Sequence, residues 1–403
     1  MNNHKKSAFQ LILLFGLVSL FGDMVYEGAR SVNGPYLKTL GVNAAIVGLV
    51  AGVAEFLGYA IRLLSGYFAD KTKAYWLFTF LGYGMLISVP LLSLAGIWQI
   101  AVVFIIMERL GKALRSPARD TILSQATKQV GTGIGFAIAE VLDQIGAISG
   151  PLIFTVLFVI LGRGDRNLSD YQHGYVLLWI PLILVLFCLI FAWRRIPHPE
   201  VLEEAVTKNP GTESLSKVFW IYTIFTFVTT LGFANFALIG YHFKAKHVLT
   251  DAQIPLFYAL AMGVDAVAAL AIGKIYDIFK LRHNNEKAGL ITLIAIPVFS
   301  LFIPALVFST KFSLVLAGAI IWGVVMGCHE TVMRSAIADT TALKKRGTGY
   351  GIFNTAYGLA VFIGSVFVGL LYEHSILAVI IISIAVEIVA IFLFFILKKE
   401  VLK

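Results

Sequence analysis

Long apolar runs separated by short polar ones dominate this chain. Val176–Trp193 contains no charged residue, and Ile376–Leu397 contains only Glu387. A helix needs about 20 apolar residues to cross a bilayer. Hydropathy and the Pro and Gly breaks predict twelve spans, at 8–31, 43–69, 75–97, 99–122, 132–161, 174–195, 217–243, 254–279, 288–308, 313–341, 347–371 and 376–398. The longest polar stretch, Ile196–Ser216, holds Pro197, Pro199, Glu200, Glu203, Glu204, Lys208 and Pro210. It reads as a cytoplasmic linker, with a small regulatory segment as the alternative. The expected fold is therefore an all-α integral membrane protein. It has a six-helix bundle at 1–196, a linker at 197–216 and a second six-helix bundle at 217–403.

Composition sharpens the class. The 403 residues are 59% hydrophobic and 14% charged, with a mean hydropathy of +0.86. Soluble domains carry about 25% charged residues, so no soluble domain is expected here. The net charge of +9 does not point to nucleic acid. On an inside-start model, more than half of the Lys and Arg fall on the cytoplasmic side, among them Lys5, Lys6, Lys71, Lys73, Arg194, Arg195, Lys344, Lys345 and Arg346. That pattern puts both termini in the cytoplasm and the protein in the cytoplasmic (inner) membrane. The basic, then apolar N-terminus runs on into Asp23 and Glu27 without a small-residue cleavage site. It is expected to be the first span, retained. Cys188 and Cys328 both lie in apolar spans and define no disulfide framework.

The two halves repeat. Arg115-Ser116-x-x-x-Asp120-Thr121 recurs as Arg334-Ser335-x-x-x-Asp339-Thr340. Gly131-Thr132-Gly133-Ile134-Gly135 recurs as Gly347-Thr348-Gly349-Tyr350-Gly351. Gly66-Tyr67-Phe68-Ala69-Asp70 is answered by Gly273-Lys274-Ile275-Tyr276-Asp277. Parallel repeats about an axis along the membrane normal are a transporter plan, with a substrate site at the repeat interface.

At these residues the chain resembles the major facilitator superfamily of secondary transporters over its whole length. Gly66-x-x-x-Asp70-Lys71 resembles the signature loop of that superfamily, with Lys73 where a later glycine is usual. Arg109 resembles the arginine of the motif linked to proton coupling. Gly146-x-x-x-Gly150-Pro151 resembles the Gly-Pro signature frequent in antiporters. The runs Leu110–Asp120 and Asp23-x-x-x-Glu27 resemble a prokaryotic branch. The resemblance implies alternating access by rocking, with the first, fourth, seventh and tenth helices lining the cavity. It also implies a cytoplasmic latch. Asp70 would meet the start of the eleventh helix and a fourth-span arginine, Arg115 or Arg119, and Asp277 with Arg334 would form the pseudo-symmetric partner.

Charges inside spans are expensive and need pairing, water or a function. Asp23 and Glu27 share a helical face, as internal ion-pair members with Arg30 or as cavity carboxylates that bind a proton or cation. Glu55 and Arg62 share a face two turns apart and each needs a partner elsewhere. Glu108 and Arg109 are adjacent and point in different directions, with Arg109 near the midplane as an anion holder, a tuner of a carboxylate, or a buried ion-pair member. Glu140 and Asp143 precede a helix bend at Gly146, Gly150 and Pro151, where Asp143 either binds proton or substrate or pairs between helices. Asp265 stands alone among small residues. In the second half, His329 and Glu330 read as proton-linked or substrate-contacting groups or as interhelical bonds. Asn235, Tyr241 and His242 are further polar candidates in the seventh span, and Asn354 and Tyr357 in the eleventh read as packing or cavity lining. Cys328-His329-Glu330 holds metal-ligand types, but consecutive helical residues point about 100° apart, so no metal site is expected.

Gly131-x-Gly133-x-Gly135 lacks the βαβ setting of a nucleotide fingerprint, and no Walker, zinc-protease or serine-elbow motif is present. The chain is expected to be no enzyme and to hold no cofactor, drawing instead on an ion gradient, with protons favoured. The favoured reading is proton-coupled antiport exporting a small organic molecule. Proton-driven symport of a polar or anionic metabolite is the alternative, and a transporter-derived lipid-handling or sensor protein is the remote one. Expected partners are the small-molecule substrate and the lipid bilayer, with no nucleic acid and a monomeric state.

Overall fold

Where charge is sparse, the chain forms long helices, because an isolated segment in hydrocarbon must satisfy its own backbone. The computed structural model describes residues 3–130, 132–162, 164–198, 215–341 and 346–403, without side chains at 3–5, 127–130, 132–137, 286, 334, 338 and 346–347. Most of the expected linker, 199–214, lies outside the described residues, as does Gly131.

The spans are α1 (Asn3–Thr39), α2 (Ala44–Thr72), α3 (Tyr75–Leu94), α4 (Trp98–Val130), α5 (Thr132–Ile160), α6 (Leu168–Arg195), α7 (Lys217–Ala245), α8 (Gln253–His283), α9 (Lys287–Val307), α10 (Phe312–Thr340), α11 (Arg346–His374) and α12 (Ile376–Val401). Among the described residues, eleven are long and apolar enough to cross a membrane. The twelfth, α4, has 33 residues and so spans about 50 Å. It is distinguished by Glu108, Arg109, Lys112, Arg115, Arg119 and Asp120.

Helix starts follow local chemistry. Asn167 and Asp170 form a reciprocal capping box at α6. The hydroxyls of Ser216 and Ser375 accept from the backbone at the starts of α7 and α12. The sequence predicts an unbroken seventh span, but α7 opens between Lys217–Gly232 and Phe236–Ala245. Gly232 ends the first piece, and the Asn235 side chain caps the second by accepting from Ala237 N at 2.9 Å. Trp322 donates its indole N–H to the freed Ala234 carbonyl at 2.9 Å, so the break exposes no unpaired acceptor there.

The chain folds into two compact units. One comprises Met1–Gly41, Leu57–Lys208 and Asp251–Ala259, and the other Val42–Phe56, Asn209–Thr250 and Leu260–Lys403. In the first, an apolar core joins Leu11, Ile12 and Phe15 of α1 to Ile122 and Leu123 of α4 and Ala192 of α6. Its closest helix crossing is α1 on α5. A methyl group built on Gly146 would lie 2.2 Å from the Leu20 carbonyl oxygen and 3.0 Å from Asp23 Cβ, and one on Gly150 would lie 2.5 Å from the Met24 oxygen. In the second unit α11 approaches α7 in the same way, with Gly364 over the Leu231 carbonyl. Gly146, Gly150 and Pro151 thus lie within one continuous helix, and both glycines are there for close approach.

Gly150→Leu should therefore lower the unfolding temperature of the detergent-solubilised protein, with an overpacking cost of about 1–3 kcal/mol or more. Gly84 has nothing within 4 Å of an added methyl group. Gly84→Ala should leave the midpoint unchanged or raise it slightly, by the better helix propensity of alanine.

Candidate functional site

Helical spacing builds the polar centre of the first unit. Asp23, Glu27 and Arg30 follow at i, i+4 and i+7 on α1. On α4, Glu108, Lys112, Arg115 and Arg119 follow at i, i+4, i+7 and i+11, a charged stripe along one face. Glu27 is buried at 5% exposure. Its carboxylate lies 3.6 Å from Arg30 Nη1 and accepts a hydrogen bond from the Tyr258 hydroxyl of α8. Lys112 donates to the Tyr26 hydroxyl and sits over the Tyr26 ring at 3.7 Å. The Arg109 guanidinium lies 5.1 Å from the same ring.

Glu108 is the hub of α4. Its Oε2 lies 3.4 Å from Arg109 Nε, and its Oε1 lies 3.6 Å from Arg115 Nη2. This corrects the expectation that Glu108 and Arg109 diverge: their Cα–Cβ bonds do, but the long arginine folds back onto its neighbour. Arg115 also reaches the Gly82 carbonyl at 3.4 Å and lies 5.0 Å from the Tyr83 ring. Arg119 donates to Ser19 Oγ at 3.1 Å and pairs with Asp120 at 3.0 Å.

Asp23 and Asp143 differ from these. Both are half-buried, and among the described residues neither has a hydrogen bond or ion pair. The packing of Gly146 on Asp23 Cβ brings α5 against α1 one turn from Asp143. Asp143, Lys112, Glu27 and Arg119 are the charges that act on Asp23.

The other expected residues are distributed differently. Glu140 is exposed, as is Glu330. Asp70 is exposed and accepts from the Tyr75 hydroxyl at 3.0 Å, and no described ion pair joins it to Arg115 or Arg119. Asp277 is exposed, and the side chain of its expected partner, Arg334, lies outside the described residues. The nearby polar knot is instead Asp339, which accepts from Tyr276 at 2.7 Å and Lys280 at 3.0 Å.

In the second unit, His329 is buried and lies 5.5 Å from Phe233 and 6.0 Å from Tyr357, ring to ring. Asp265 is buried against Gly327. His242 is held by Tyr372 at 2.9 Å. Among the described residues no group of three His, Cys, Asp or Glu could hold a metal ion.

Sequence reasoning passed over Lys112, Tyr26, Tyr258 and Glu387. Lys112 was legible from the four-member stripe on α4. Glu387 is fully buried and accepts from Thr229 at 2.6 Å behind the α7 break, a pairing across 158 residues that no local pattern announces.

Comparison with known proteins agrees with this architecture. The family model described as Major Facilitator Superfamily matches residues 12–329 and 281–403. An uncharacterized protein of Mycobacterium tuberculosis is 37% identical over 97% of this chain and 94% of its own length. An uncharacterized MFS-type transporter of Methanocaldococcus jannaschii is 25% identical over 93% of this chain and 91% of its own. The crystal structure of the nucleoside transporter NupG is similar with a TM-score of 0.72 at 16% identity, covering 96% of this chain and 99% of that one. That likeness is one of fold.

Glu108→Ala would strand Arg109 and Arg115 in a buried setting, at a cost of about 3–5 kcal/mol. Lys274→Ala, at an exposed position, should change stability by less than about 0.5 kcal/mol. Thermal unfolding of both variants in one detergent checks the contrast.

Proposed function

The chain belongs to the Major Facilitator Superfamily, and from that premise we propose that it is a proton-coupled antiporter exporting a small organic solute. It is a multi-pass membrane protein and a secondary transporter by family and fold. The observation that carries the proton-coupled reading is the Asp23–Asp143 pair. Among the described residues, Glu27, Glu108, Arg109 and Arg115 each have a protein partner, whereas Asp23 and Asp143 show no hydrogen bond or ion pair.

The mechanism follows from electroneutrality. With a proton on the pair, the pair and the Lys112 field balance without further help. Loss of that proton leaves an excess negative charge, which a positively charged or strongly polar solute can offset. Proton and solute then exclude one another at the same carboxylates, which is the requirement for exchange. Lys112 competes with the solute and helps expel it once the proton returns.

The symport alternative needs cations free to hold an anion. Arg30, Arg115 and Arg119 are already engaged by Glu27, Glu108 and Asp120, which favours antiport. The positive-inside pattern supports a cytoplasmic-membrane location with both termini in the cytoplasm.

Reconstituted into liposomes with an internal pH dye, the wild type should move protons opposite to a lipophilic organic cation such as ethidium. Asp23→Asn and Asp143→Asn should each lower that exchange at least about tenfold, the scale of losing roughly 1.4 kcal/mol at one step. Proton and solute flux in the same direction would establish symport. Exchange that persists in both variants would remove the carboxylate pair from the mechanism.

A further inference from the structure

The second unit contains a site of different chemistry. Around the opening in α7, Phe233 stacks on Trp322 with centroids 5.7 Å apart and planes at 18°. His329 meets both Phe233 and Tyr357, and Tyr357 lies near-parallel to Phe353 at 6.5 Å. Phe233 and Tyr357 are half-buried and keep accessible ring surface, while His329 is only 2% exposed. The result is a wall of aromatic faces with one imidazole set into it.

The imidazole has a defined polarity. His329 Nδ1 lies 3.5 Å from Met333 Sδ. A thioether carries no proton, so Nδ1 is the donor in that contact, and in the neutral ring Nε2 is then an acceptor. Nε2 is buried and has no hydrogen-bond partner among the described residues. Thr230, one turn before Phe233 on α7, adds a second buried oxygen without a partner. Buried polar atoms are satisfied as a rule, and an exception calls for a ligand or water.

The geometry points to His329, Phe233 and Tyr357 as the binding subsite for a neutral, planar aromatic group that carries an N–H or O–H donor in its plane. The ring faces of Phe233 and Tyr357 accept the flat group by offset stacking or edge contact. Nε2 of His329 takes the in-plane donor. Among the described residues, no hydrogen bond or ion pair joins His329 to a charged side chain, so these contacts supply no counter-charge for an ionised group. Only the assignment of this group to the transported solute rests on the transporter reading; binding itself does not.

Indole and 1-methylindole test the subsite because they share one ring plane and differ in the N–H donor. Ligand binding to the folded full chain in detergent raises its unfolding temperature in proportion to occupancy. Indole should stabilise the wild type with an apparent affinity about three- to tenfold better than 1-methylindole, the effect of one neutral hydrogen bond. His329→Phe, which keeps a ring in place, should bind the two probes alike, and His329→Gln, which restores an acceptor oxygen, should recover part of the preference. Equal stabilisation of the wild type by both probes, no stabilisation by either, or a preference for indole that survives in His329→Phe would overturn the proposal. The wild-type comparison stands even if His329→Phe does not fold. Proton exchange with ethidium, measured on the same His329→Phe protein, keeps the two proposals apart. A lost indole preference with intact exchange separates subsite from coupling, and failed exchange in the wild type leaves the indole result to be judged alone.

Discussion

A charge placed in hydrocarbon must be answered by the protein, and the structure of this chain turns on how α4 meets that demand. Seven charged residues, Lys128 included, lie on one helix of 33 residues, a load that no isolated span carries cheaply. The helix is tolerable because Glu108 faces two arginines at once and because the Tyr26 and Tyr83 rings take up the cationic heads of Lys112 and Arg115. Glu27 is likewise answered twice, by Arg30 and by Tyr258. Once these partners are assigned, Asp23 and Asp143 stand out as the carboxylates that the first unit leaves for something else to neutralise.

The second unit solves a different problem. Breaking α7 frees backbone groups that have no water to turn to, and the break persists because Trp322 and Asn235 supply local partners. The same tryptophan that satisfies the Ala234 carbonyl also stacks on Phe233, so the aromatic wall and the helix break support each other. Charge concentrates on the first unit's polar face, and rings with a single imidazole line the opening in the second.

Much of this was legible before any coordinates. The helix period and the length of apolar runs place the twelve long helices, eleven of which are long and apolar enough to cross a membrane among the described residues, and the charge count sets the fourth apart. Gly146 and Gly150 read as a pair that allows close helix approach beside a bend, and α1 and α5 touch backbone to backbone there. Gly232 and Asn235 are stop and start signals that mark the α7 break. What was hidden is what long-range contact decides. Tyr258 reaches Glu27 across 231 positions, and no periodicity along α8 indicates that its first turns serve a glutamate on α1. The Glu108–Arg109 contact was missed for a different reason, since Cβ direction alone ignores the reach of a flexible arginine.

The position of Asp23 links the electrostatic account to movement. Its Cβ lies where Gly146 leaves no room for even a methyl group, so its carboxyl group hangs from the tightest part of the α1–α5 contact. Close-packed interfaces are stiff and pass small displacements on rather than absorbing them. In the proposed mechanism, a carboxylate that gains or loses a proton changes its preferred distance from Asp143 and Lys112. The backbone beneath it cannot absorb that change locally, because the Leu20 and Met24 carbonyls are held against α5. The adjustment must travel along α1 as a whole, and α1 also carries Glu27 and its hydrogen bond to Tyr258. In that mechanism a proton at Asp23 would be coupled to a contact one helical turn away, through a helix held tightly against α5 between the two.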